Sequence, residues 1–215
     1  MARAHAPSPV SQGRLTTMAS IYDLIVWAYY TSHARRPPNP ARYVLTQPNW
    51  LPPGATVLDY GGGDGRWAVP LAARARLVVV ADVDERTLHR VPPHPHLRSV
   101  LLDGARLPFP SGVFDLVFVN HVLHHVEDLP TLAPELRRVV RPGGRLVAIE
   151  FHPSASVTRV YRVLSRYRRH PCTFYAPRTL APLVAGSVFS AENCRLDDFQ
   201  YVLVASRPAP STRTS

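Results

Sequence analysis

Thr56-Val57-Leu58-Asp59-Tyr60-Gly61-Gly62-Gly63-Asp64-Gly65 is the stretch that decides the fold. A short apolar run ends in an acid and a tyrosine, and glycine then fills four of the next five positions. Glycine admits positive φ and lets a ligand approach bare backbone, so a strand running into this cluster is either a ligand cradle or a plain tight turn. Downstream, Trp67 and Leu71 lie four apart on one face of a helix expected over residues 66–75, with Pro70 as a kink or break in it.

The same alternation continues along the chain. Residues 77–82 are a second apolar strand closed by Asp82, 85–90 a short helix, and 97–102 a third strand followed by Asp103. Residues 113–120 make a fourth strand. A helix follows over 129–141, with Leu129, Leu132, Leu136 and Val139 on one face and Pro142-Gly143-Gly144 as its stop. Residues 145–151 are a fifth strand, 157–169 and 178–185 are helices, and 194–196 with 199–206 close the chain as a last pair of strands. Near-continuous apolar strands alternating with helices indicate a parallel sheet covered on both faces. Ligands of such sheets bind beyond the carboxyl ends of the strands, so Asp59, Asp82 and Asp103 are expected to line one crevice.

Length and composition fit this. The 215 residues are 46% hydrophobic and 19% charged, enough for one core without disulfides. Two cysteines make neither a disulfide framework nor a four-ligand zinc site, and no metal-ligand spacing is present. No apolar run is long enough to span a bilayer, and residues 1–20 lack the apolar stretch of a secretion signal, so the chain reads as cytoplasmic. The expected organisation is a disordered tail over 1–17, one domain over 18–207 with a lid at 18–50, and a second tail over 208–215. The net charge of +10 is carried entirely by arginine, a compositional habit that weakens its value as a sign of nucleic acid.

The glycine loop alone fits two nucleoside-type ligands. Gly63-x-Gly65-x-x-Ala68 matches the looser dinucleotide pattern with Asp82 at a suitable distance for a ribose, whereas Gly61-x-Gly63 lacks that pattern's third glycine. Downstream segments separate the two. Val57–Gly65, Val80-Ala81-Asp82-Val83-Asp84, Asp103-Gly104-Ala105-Arg106-Leu107-Pro108-Phe109, Phe114-Asp115-Leu116-Val117-Phe118-Val119-Asn120-His121-Val122-Leu123-His124-His125 and Glu135–Gly144 follow in the order of one family. Together they resemble the class I S-adenosylmethionine-dependent methyltransferases, in particular the ubiquinone and menaquinone C-methyltransferase-like group. The resemblance is close over about residues 51–151 and loose elsewhere.

That resemblance implies an α/β, Rossmann-like, doubly wound and mostly parallel seven-stranded sheet, with helices on both faces and the last strand antiparallel. It implies S-adenosyl-L-methionine as cofactor and a small-molecule methyl acceptor. Asp59, Tyr60, Gly61, Gly63 and Gly65 would form the loop beside the methionine and ribose portions. Asp82 and Val83 would hold the ribose, and Asp103, Gly104 and Ala105 the adenine, with Asn120 and His121 flanking the methyl group. The sequence departs from the family at Tyr60 and Gly104, where smaller or apolar residues and alanine are usual, and in a nearly absent helix before the fourth strand.

Chemistry beyond the cofactor is less defined. His121, His124 and His125 are the catalytic candidates, each weighed against a purely structural role, and Glu150 and His152 end the fifth strand beside them. Tyr22 and Trp27 belong to the aromatic lid, for which packing on the outer sheet face is the alternative. Arg159, Arg162, Arg166 and Arg169 form a stripe on the helix over 157–169. Arg162 and Arg166 are candidates for an anionic acceptor or an anionic membrane surface, set against a solvated face of an arginine-rich chain. No aromatic platform accompanies the stripe, so nucleic acid is disfavoured as a partner. The alternatives to a small-molecule enzyme are a non-catalytic cofactor-binding interaction protein and, less favoured, an RNA methyltransferase; the oligomeric state is not legible.

Overall fold

The computed structural model of the chain describes residues 39–103, 106–155, 158–159, 162 and 172–209. Helix α1 (Pro40–Thr46) opens them, with the Asn39 side chain accepting a hydrogen bond from the Arg42 N–H and Pro40 in the first turn, where a missing N–H costs nothing. Then come β1 (Thr56–Tyr60), α2 (Ala68–Ala72), β2 (Leu77–Asp82), α3 (Glu85–Leu88), β3 (Leu97–Leu101) and β4 (Phe114–Asn120). A single 3₁₀ turn (Leu123–His125) leads into α4 (Leu129–Val139), β5 (Val140–Phe151), α5 (Pro177–Ala185), β6 (Ser190–Arg195) and β7 (Gln200–Ser206).

The strands form one seven-stranded sheet in the order β3-β2-β1-β4-β5-β7-β6. All pairs from β3 through β5 are parallel, and β7 lies antiparallel to both β5 and β6. The doubly wound class and the antiparallel final strand are as expected from the sequence. After β1 the chain winds outward through β2 and β3, then crosses back to place β4 on the other side of β1. The connections that leave the carboxyl ends of β1 and β4 therefore run to opposite faces of the sheet, α2 on one and α4 on the other, which is where a crevice opens in such folds.

Alternation along the strands sends side chains to two cores. Leu58, Val117, Val119 and Leu146 pack with Leu132 and Leu136 of α4 and Leu180 and Val184 of α5. Val57, Val78, Val80 and Phe118 pack with Val44 of α1, Leu71 of α2 and Leu88 of α3 on the opposite face. Each fully buried side chain of this size contributes about 1.5–3 kcal/mol relative to exposure, so both faces of the sheet are held independently of any ligand.

Several boundaries differ from the sequence reading. Helix α2 is only five residues long, and Pro70 stands in its first turn without breaking it. Helix α4 ends at Val139, before the expected stop. Pro142 biases Arg141 away from helical backbone, and the Arg141 guanidinium is drawn to Asp115 at 2.5 Å. Strand β5 accordingly starts at Val140 opposite Phe114, and the pairing is irregular before resuming at Arg145 opposite Leu116. Strand β6 reaches back to Ser190 although every residue in it is exposed, because its partner β7 and not a hydrophobic pattern specifies it. Among the described residues no helix is long and apolar enough to cross a membrane.

Candidate active site

The loop after β1 is built on three left-handed glycines, Gly61 (φ 69°), Gly63 (φ 54°) and Gly65 (φ 72°). Gly61 also lies where a Cβ would come within 2.4 Å of the Val122 side chain, so conformation and space both demand glycine there. The loop is tied to the end of β2: the Gly61 N–H donates to the Ala81 carbonyl at 2.7 Å, and the Gly63 N–H to Asp82 Oδ2 at 2.9 Å. Asp82 Oδ1 accepts from the Asp84 N–H at 2.9 Å, while Asp84 itself caps α3. Each Asp82 oxygen retains a second lone pair.

Asp59 lies beneath this loop, 1% exposed, with Oδ2 buried and lacking a hydrogen-bond partner. Burial, reinforced by the charges of Asp82 and Asp64, pushes its pKa up to about 7. Burial and the Asp82 charge raise the Tyr60 phenol to about 12, so it stays neutral. A second orphaned acceptor, Asn120 Oδ1, ends the adjacent strand β4.

A cleft of about 660 Å³ opens between these strand ends. Tyr60, Gly61, Asp82, Val83, Asn120, His121 and His125 line it, all of them expected from the sequence. Leu102, Val122, Val126, Glu127, Asp128 and Leu132 line it too and were not foreseen. They follow β3, open α4 or belong to the turn between β4 and α4, and the hydrophobic ones among them carry no signal that separates wall from core. Asp103 is exposed beside Leu102 and does not line the cleft. Gly104, Ala105, Tyr22, Trp27 and Arg166 lie outside the described residues, and Arg162 is exposed.

The histidines divide into different environments. His121 follows β4 with φ 56°, an uncommon conformation for a residue with a side chain. Its N–H donates to the Ile149 carbonyl at 2.8 Å, its Nε2 lies 2.9 Å from Gln200 Oε1, and its ring packs on Phe151 at 4.0 Å. Burial drives its pKa down to about 4 against the opposing pull of Glu150, so the ring is neutral at neutral pH. His124 is buried behind the cleft wall, with Nδ1 at 2.6 Å from Glu150 Oε2. Glu150, expected at the acceptor, is 3% exposed instead. Its Oε1 accepts from the N–H groups of Val122 and Leu123 at 3.0 and 2.7 Å. Burial alone would raise this carboxyl, but the His124 charge and hydrogen bond outweigh it and the net shift is downward. His125 is on the cleft rim, 3.3 Å from Cys172 Sγ, whereas His152 bonds Ser154 Oγ at 2.7 Å and does not line the cleft. Among the described residues no group of three or more His, Cys, Asp or Glu is placed to hold a metal.

An open cleft at the switch point, a glycine loop whose Gly61 leaves no room for a side chain, and an acid at the end of the next strand fit a nucleoside cofactor with a ribose to hold. Comparison with known proteins agrees. Residues 58–148 match the family described as "Methyltransferase domain". A demethylmenaquinone methyltransferase of Mycolicibacterium gilvum (strain PYR-GCK) is 40% identical over 106 residues, covering 47% of this chain and 44% of that protein. The chain spans half or less of the length of the curated relatives it matches. In three dimensions it resembles a chain of the Haloferax volcanii complex between the Trm112 methyltransferase activator and a methyltransferase (TM-score 0.72, 14% identity, 92% of this chain and 100% of that one). It also resembles a SAM-dependent methyltransferase from Aquifex aeolicus (TM-score 0.64, 18% identity, 77% of this chain and 88% of that one). Residues 58–148 therefore match a methyltransferase domain and the chain has the Rossmann-like fold of the solved methyltransferases it resembles, with the cleft at the ends of β1, β2 and β4 as its candidate active site.

Proposed function

We propose that the protein transfers a methyl group from S-adenosylmethionine to a small, largely apolar acceptor. The observation that carries this reading is the junction of loop and acid, in which Gly61 presents bare backbone to the cleft while Asp82, tied to the Gly63 N–H, lines the same cleft. The cofactor supplies an electrophilic methyl carried on a sulfonium.

The chain's residues then have distinct tasks. Asp82, with a spare lone pair on each oxygen, would hold the ribose hydroxyls. Asp59 Oδ2 and Asn120 Oδ1, both buried without partners, suit the donor groups of the methionine end, because an orphaned acceptor gains most from a charged donor. The neutral His121 ring would add no positive charge to a cleft that takes a sulfonium. Val122, Val126, Leu102 and Leu132 give the acceptor an apolar wall that excludes water, and alignment with water excluded is most of what an in-line displacement requires. Relatives named demethylmenaquinone methyltransferases support a quinone-like acceptor.

The test is to incubate the purified protein with methyl-labelled S-adenosylmethionine and a cellular metabolite extract. Label entering one extractable apolar small molecule, and missing with Asp82→Ala, is the expected result. Label found only in protein or RNA, or no transfer at all, overturns the proposal.

A further inference from the structure

Tyr60 ends β1, lines the cleft and is 8% exposed. Successive side chains of a strand point to opposite faces of its sheet. Leu58 and Tyr60 belong to the core under α4 and α5, whereas Val78 and Val80, which alternate with Asp82 along β2, belong to the core under α1, α2 and α3. Tyr60 pairs with Ala81, one residue before Asp82. The phenol and the Asp82 carboxylate therefore reach the strand ends from opposite faces of the sheet. The hydroxyl is open at this end. It makes no hydrogen bond among the described residues, and its oxygen is not one of the buried polar atoms that lack a partner, as Asp59 Oδ2 and Asn120 Oδ1 are. An unpartnered oxygen that is not buried reaches solvent, and the open space beside Tyr60 is the cleft. The Asp82 charge acts on this phenol, which places its oxygen in the field of the carboxylate.

We propose that the Tyr60 hydroxyl is a binding group for the nucleoside half of the cofactor, donating a hydrogen bond to a ribose oxygen or an adenine nitrogen while Asp82 serves the ribose hydroxyls from the other face of the sheet. This rests on the reading above, in which the cleft takes S-adenosylmethionine. Asp82 can only accept, and each of its oxygens already takes one backbone N–H, so it offers nothing to the acceptor atoms of a nucleoside. A neutral phenol can donate, and burial together with the Asp82 charge keeps this one neutral up to about 12. The same charge decides which half of the cofactor the phenol serves. The methionine end carries a carboxylate, which Asp82 repels, whereas the acceptor atoms of ribose and adenine are neutral.

The decisive variant is Tyr60→Phe, which removes only the oxygen and keeps the ring in the core. Isothermal calorimetry with S-adenosylhomocysteine, the demethylated product, is expected to show binding about three- to tenfold weaker than wild type, the range of one hydrogen bond between neutral groups. Analogues of that product identify the accepting atom: deoxy and carbocyclic forms for the ribose oxygens, and deaza forms for the adenine nitrogens. With one of them wild type and Tyr60→Phe are expected to bind equally, because the partner atom is gone, and with the rest the variant keeps its deficit. A Tyr60→Phe protein that binds the product as tightly as wild type overturns the proposal, and so does a deficit that persists against every analogue. Either result, beside a wild type that binds normally, leaves the cofactor reading intact. A wild type that binds neither S-adenosylmethionine nor its product overturns that reading and this proposal together.

Discussion

His124 Nδ1 and Glu150 Oε2 are 2.6 Å apart, and both side chains are almost wholly buried. Because the other Glu150 oxygen accepts the Val122 and Leu123 N–H groups, one carboxylate fastens the turn after β4 to the end of β5. That turn supplies Val122, His125 and Val126 to the cleft, so the pair shapes the site without touching what binds there.

Removing Glu150 therefore tests structure before chemistry. Glu150→Ala strands His124 and two N–H groups in the interior and is expected to destabilise the fold by about 3–5 kcal/mol, measured by urea denaturation. Glu150→Gln keeps an acceptor for the N–H groups and is expected to cost less than half of that. A lowered carboxyl pKa stabilises above the ordinary carboxylate range and is lost on acidification through it. Glu150→Gln should accordingly lose less stability than wild type as pH falls below about 4. Equal acid limbs for the two proteins would remove Glu150 from this account.

Gly61 and Val122 are coupled through space. Gly61→Ala is expected to weaken cofactor-product binding at least tenfold and to lower thermal stability, since an alanine there meets both positive φ and the Val122 methyls. Adding Val122→Ala removes the collision but not the backbone strain, so a double-mutant cycle should recover part of the stability. Strict additivity of the two changes contradicts the packing described.

The buried Asp59 carboxyl gives a pH dependence of the opposite sign to that of Glu150. Its folded pKa, about 7, lies above the usual 3.8, so the protein pays for its ionisation as pH rises between those values. Asp59→Asn is free of that charge. Its stability relative to wild type should climb by up to about 1.4 kcal/mol per pH unit between pH 5 and 7, then level off. Thermal melts at pH 5, 7 and 8 suffice, and a difference that does not change with pH rules out the raised carboxyl. A cationic cofactor favours the ionised form, so binding should tighten over the same interval.

How much of this was legible beforehand differs between sheet and site. Parallel strands buried on both faces announce themselves as apolar runs, and glycine followed by acid at a strand end marks the cofactor side. Residues 57–60, 77–82 and 114–120 were therefore readable from local pattern. Strand β6, with Ser190, Glu192 and Asn193, has no such pattern and exists because β7 offers it hydrogen bonds. Glu150 looked like a residue at the acceptor because it ends an apolar strand near several histidines. Only the fold, by bringing position 150 against position 124, shows that its oxygens are spent inside the wall. Gln200 was unreadable for the same reason, since its partner His121 lies 79 positions away along the chain.

The central claim is that the loop and Asp82 form an S-adenosylmethionine site, and isothermal calorimetry of wild type and Asp82→Ala with S-adenosylmethionine, its demethylated product and NAD tests it most directly. The account predicts saturable binding of the first two at one molecule per chain and no binding of NAD. Asp82→Ala should lose about 1.5–3 kcal/mol of that binding, the scale for hydrogen bonds to a charged group. Tight NAD binding with no heat from S-adenosylmethionine, or an Asp82→Ala variant that binds S-adenosylmethionine as well as wild type, would contradict it.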